Sequence, residues 1–220
     1  MYQEIYSFIA HNKDIFRLGY SLFIVFVCLI IVLKTDKLFR LSHHQGIRYF
    51  RNAFFFYGIA FVLRYLVAIP LGIPIKPFFE FFMIMAGFFL LYSLLWKKLD
   101  SQKPKYSSLI NSKILLFYVL AFVIASADYL WSTYNFMILS QIILFGSASI
   151  IGYKNYIFGG NKHRFLKLYF LVMIFSFLAW LLNFLFANFF SRLRFLANVY
   201  AINIIIFLIF LYGVIKLTKK

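Results

Sequence analysis

Six strongly polar side chains stand inside otherwise apolar runs: Arg64, Glu80, Asp128, Gln141, Asn183 and Asn198. One guanidinium, two carboxylates and three amides so placed can bind a small polar or anionic molecule, or tie helices together. Arg64 is the extreme case, a charge deep within residues 52–71. Inside a membrane such a charge costs at least a few kcal/mol unless it finds a partner or water, which makes it a functional-site candidate by default.

The elements that position these groups follow from hydropathy. The chain has 220 residues, of which 64% are hydrophobic, and a mean hydropathy of +0.88. A soluble domain cannot bury that much apolar surface, so the expected class is a polytopic membrane protein. Seven apolar segments emerge, at about residues 15–34, 47–71, 77–96, 112–131, 135–153, 164–188 and 193–216. Each is long enough as a helix to cross a core of roughly 30 Å. Phenylalanine reaches 32 residues, with Ile, Lys, Asn and Tyr also abundant; an AT-rich genome is sufficient explanation.

The net charge of +17 sits in short loops between the spans, where it is topogenic rather than a nucleic-acid surface. Seventeen Lys and Arg residues fall on one side of the expected bundle and five on the other, with Arg64 between them. The positive-inside rule then puts the N-terminus outside and the C-terminus inside. Cys28 is the single cysteine, so no intrachain disulfide forms. The N-terminus lacks the basic region and small-residue cleavage site of a signal peptide, so the first span is expected to stay.

Helix ends carry their own signals. Ser42-His43-His44-Gln45 has the form of a capping box and predicts that the second helix starts there. Gly159-Gly160-Asn161 and Ser191 offer caps for the sixth and seventh helices. Pro70, Gly72, Pro74 and Pro77 predict a rigid turn between the second and third. The spans show no internal repeat, and the segment 97–113 is too short for a separate domain.

Depth and helical phase locate the polar groups. Arg64 is six residues before Pro70, roughly 9 Å from the end of its span, and Glu80 is about 4–5 Å from the same surface. Asp128, Gln141, Asn183 and Asn198 also lie near outer ends, whereas Asn203 is nearer the midplane and five residues from Asn198, on a different face. Arg64 shares a face with Tyr57, Ala60 and Ala68, and Asn183 with Ser176, Ala179 and Ala187. Small residues mark helix–helix contact in membranes, so these polar groups face the bundle. Two readings fit: Arg64 locked to Glu80 or Asp128, or a solvated, outward-open pocket with an ionic floor.

On the opposite side, Arg40, His43, His44, Arg48 and Arg51 form a basic segment suited to a lipid phosphate near a helix start. Two adjacent histidines point about 100° apart on a helix with no third ligand nearby, and no span contains a histidine, so no metal is expected. No nucleophile–base pair or catalytic motif is visible.

The expectation is a single all-α membrane domain over residues 1–220: a seven-transmembrane-helix bundle, N-terminus outside, multi-pass in a prokaryotic cell membrane. Its topology is similar to that of seven-span sensor modules that precede prokaryotic signalling domains, without a shared motif. The expected function is sensing by a receptor-like module whose outward pocket takes a small polar or anionic ligand. The alternative is a small-solute transporter or the membrane subunit of a transport complex, against which the apolar inner halves of the spans argue. No cofactor and no nucleic acid are expected. Expected partners are anionic headgroups on the cytoplasmic side, a cytoplasmic signalling protein, or a second copy of the chain.

Overall fold

The apolar runs become helices. A computed structural model describes residues 13–67, 75–99, 112–158, 164–189 and 192–218, and these form seven α-helices without a strand. They are α1 (Lys13–Ser42), α2 (Gln45–Phe61), α3 (Lys76–Leu99), α4 (Ser112–Leu130), α5 (Asn135–Phe158), α6 (Arg164–Phe189) and α7 (Arg192–Thr218). Among the described residues, three stretches are long and apolar enough to cross a membrane: Ile15–Ser42, Lys76–Leu95 and Asn135–Ile157. Shorter apolar stretches occupy Ile114–Leu130, Tyr169–Leu185 and Ile202–Lys216. The 68–74 turn with Pro70 and Pro74, the Gly159-Gly160-Asn161 and Ser191 caps, and most of the 97–113 segment lie outside the described residues.

Helix ends differ from the apolar boundaries where local bonds carry the backbone further. α1 continues to Ser42, past the expected end at residue 34. The Thr35 hydroxyl donates to the Ile31 carbonyl at 2.6 Å, and Arg40 pairs with Asp36 one turn back at 2.9 Å. The capping box at Ser42 is not formed. Ser42 is the last residue of α1, His43 takes a left-handed φ of 49°, and His44 occupies the N-cap position of α2 with no side-chain bond. A hydroxyl already in the preceding helix, donating to Leu38 O at 2.9 Å, is on the wrong side of this reversal to cap the next one.

Side-chain contacts give the helix directions. Tyr20 meets Phe61, and Asp36 pairs with Arg51, so α1 and α2 are antiparallel. Tyr49 meets Tyr92 and Phe61 meets Phe79, so α2 and α3 are also antiparallel. Gln141 reaches Met83 and Asn155 reaches Leu94, which makes α3 and α5 parallel. Packing closes a ring in the order α1, α2, α3, α5, α6, α7 and back to α1. α4 lies outside this ring on α3 and α5, with Leu115, Leu116, Val119, Phe122 and Val123 exposed.

Aromatic side chains fill one level of the ring. Phe50 packs on Phe54 (centroids 4.9 Å apart), Tyr169 (5.6 Å) and Phe210 (5.8 Å), joining α2, α6 and α7 across the interior. Such ring pairs add about 0.5–1.5 kcal/mol each beyond area burial.

Candidate functional site

After Phe61 the α-helical ladder of α2 gives way to a π-helical segment, Val62–Val67. Single π turns are rare and concentrate at functional sites. The Ser21 hydroxyl on α1 donates to the Phe61 carbonyl at 3.1 Å, satisfying an acceptor where the ladder changes. Arg64 is carried on this segment. Its guanidinium lies 4.3 Å from the Phe79 ring centroid and 5.8 Å from that of Tyr134.

Arg64 lines a partly enclosed cavity of about 220 Å³ inside the six-helix ring, to which α4 contributes nothing. Its depth can be read from α2 and α6, which run parallel. Phe50 meets Tyr169; seven residues on, Tyr57 and Ser176 line the cavity, and seven further, Arg64 and Asn183 do so. At 1.5 Å rise per residue the polar levels are about 10 Å apart. The upper level holds Arg64, Asn183 and Tyr134. The middle one holds Tyr57 and Ser176; Asn203, one turn before Phe207, which packs on Tyr57 and Phe61, stands between the two levels. Phe54, Phe145, Phe207 and Phe210 form the floor.

The carboxylates are elsewhere. Glu80 is wholly buried, and its ion-pair partner is Lys76, one helical turn away at 3.8 Å. Neither of its oxygens accepts a hydrogen bond among the described residues. Asp128, also wholly buried, accepts from the Thr133 hydroxyl (2.7 Å) and from the backbone N–H of Phe136 (3.1 Å) and Met137 (2.6 Å). It thereby caps the first turn of α5 from across the α4–α5 corner, where a carboxylate meets both free donors and the positive end of the helix dipole. Lys76 clamps the same corner, donating to the carbonyls of Asp128 (3.3 Å) and Thr133, with its ammonium 4.2 Å from the Tyr134 ring centroid.

Thus Glu80 pairs with Lys76 on its own helix, and Asp128 is engaged at the start of α5. Of the six polar candidates, Arg64 and Asn183 line the cavity, while Glu80, Asp128 and Gln141 do not. Gln141 donates to the Met83 carbonyl at 3.0 Å and ties α5 to α3. The side chain of Asn198 lies outside the described residues. Asn203, set apart by phase in the sequence, joins the cavity instead; its signal was an amide amid Ile and Phe in mid-helix. Tyr57 and Ser176 were legible as residues on the Arg64 and Asn183 faces, but not as members of one level.

The five basic candidates gather at the α1–α2 corner, the other end of the bundle. Asp36 takes both Arg40 and Arg51, and Phe39 is bordered by Arg48 (5.5 Å), Arg51 (6.0 Å) and His43 (6.2 Å). His44 stands at the start of α2. Among the described residues no group of three or more His, Cys, Asp or Glu side chains is arranged to hold a metal. The cavity supplies a cation, amide and hydroxyl groups and aromatic faces, which is binding chemistry.

Comparison with known proteins adds one relative. The chain is 26% identical over 217 residues to an uncharacterised protein of Archaeoglobus fulgidus, covering 90% of each chain. No protein-family model matches the chain, and no solved structure matches it.

Proposed function

We propose that the chain is a seven-span, multi-pass protein of the cell membrane, N-terminus outside, that senses a small anionic ligand through an outward-facing pocket. The observation that carries this reading is the cavity lined by Arg64, Asn183 and Asn203, which sets a guanidinium and two amides among aromatic rings. At about 220 Å³ it falls below the roughly 300–1,000 Å³ of drug-sized sites, which suits a small ligand. The seventeen-to-five asymmetry of basic residues supports the orientation, and the basic face then meets anionic headgroups and a cytoplasmic signalling partner. The aromatic packing of Phe50, Phe54, Tyr169 and Phe210 below the cavity supports a one-ended pocket over a transport route.

The test is a thermal-shift screen of the detergent-solubilised protein against benzoate, octanoate, acetate and inorganic phosphate. At least one anion is expected to raise the melting temperature of the native chain, and Arg64→Ala should fold but lose that shift. No shift with any anion would refute the pocket. Uptake of labelled anion by vesicles containing only this protein would replace sensing with transport.

A further inference from the structure

Two polar levels about 10 Å apart define more than a charge preference. At the middle level Tyr57 and Ser176 are 6% and 4% exposed, and the half-buried Asn203 lines the cavity between the two levels. All three side chains line the cavity. Three hydrogen-bonding groups around one largely apolar cavity give a bound molecule a second polar point, because the few polar groups of such a site fix a ligand's orientation. Beneath them the lining is aromatic and accepts only apolar surface. Beside the upper level, the Arg64 guanidinium lies 4.3 Å from the Phe79 ring centroid, and its fork of donors matches a carboxylate or phosphate.

We propose that the cavity takes an elongated organic anion, with its carboxylate or phosphate head at Arg64 and Asn183 and a hydrogen-bonding group among Tyr57, Ser176 and Asn203. The inference rests on the pocket reading above and narrows it from any small anion to a two-point, rod-shaped one. Its apolar body runs between Phe61, Phe79 and Trp180, and its second polar group stops above the Phe54 and Phe210 floor. Acetate and inorganic phosphate satisfy only the head; octanoate adds the body; 8-hydroxyoctanoate adds the second polar point.

The experiment measures affinity of the full chain in detergent for these four probes, by quenching of Trp180 fluorescence, with Trp180→Phe as the control that removes the signal. Each buried methylene strengthens binding about three- to fourfold, so octanoate should bind far more tightly than acetate. The second polar point should favour 8-hydroxyoctanoate over octanoate about tenfold. Asn203→Leu and, as the milder change, Ser176→Ala should erase that preference while octanoate still binds. Equal binding of octanoate and 8-hydroxyoctanoate overturns the two-point ligand. Acetate or phosphate binding as well as octanoate overturns the elongated shape but leaves the anion pocket standing. Binding of none of the four overturns both.

Discussion

Asp128→Ala tests the division of labour among the buried carboxylates. The native side chain accepts from the Thr133 hydroxyl at 2.7 Å and from the Phe136 and Met137 N–H groups at 3.1 and 2.6 Å. Alanine leaves two backbone donors of the first turn of α5 without partners inside the fold, and each such loss costs about 1–3 kcal/mol. Side-chain hydrogen bonds in membrane proteins measure nearer 0.6 kcal/mol, so the expected destabilisation is about 2–4 kcal/mol. Asp128→Asn keeps one acceptor oxygen and loses the charge at the helix terminus, for about 1–2 kcal/mol. The assay is reversible denaturant unfolding in detergent, followed by helical circular dichroism. Lys76 bonds the Asp128 backbone carbonyl rather than its carboxylate, and Asp128 does not line the cavity. Anion affinity of the folded Asp128→Asn variant should therefore match the native chain. Stability of Asp128→Ala within about 0.5 kcal/mol of native, the range of neutral surface changes, would refute the capping role. Native stability with lost anion binding would make Asp128 a ligand contact.

Three further outcomes are expected. In Gly87→Ala the new Cβ would lie 2.9 Å from Gln141 Oε1 and 3.0 Å from a Leu144 methyl; the same unfolding assay should show a loss of about 1–3 kcal/mol, smaller when Gln141→Ala is added. Ser21→Ala removes the bond to the Phe61 carbonyl, costing about 0.5–1.5 kcal/mol and speeding amide exchange in the π-helical segment; unchanged exchange would show that the segment does not need this tether. With Cys28 buried, a membrane-impermeant maleimide added to intact cells should label Ser132→Cys and not Lys37→Cys, both sites being exposed; the reverse pattern would invert the orientation.

Phase arithmetic found the right faces because it needs only the helix repeat. Arg64 with Tyr57, and Asn183 with Ser176, are seven residues apart, and they line the same cavity. The same arithmetic left Asn203 aside, because which face of α7 meets the ring interior depends on how Phe207 and Phe210 seat against Phe54. The capping box at Ser42 read the local pattern correctly as a helix boundary, but assigned it to the wrong helix. A left-handed His43 reverses the chain one residue after that serine.

Apolar length and composition by themselves determined that the chain is helical with membrane-length spans, and that Arg64 is its anomalous charge, because these depend on burial cost summed along each segment. Only the tertiary structure decided that Glu80 answers Lys76, that Asp128 is consumed at the start of α5, and that α4 stands outside the ring. Partnership between helices is a matter of register and rotation. Those are set by many weak aromatic and small-residue contacts acting together, and no single position in the sequence carries them. Arg64 was visible from its type; its place beside Asn183, with Asn203 between it and Tyr57, existed only once the helices had packed.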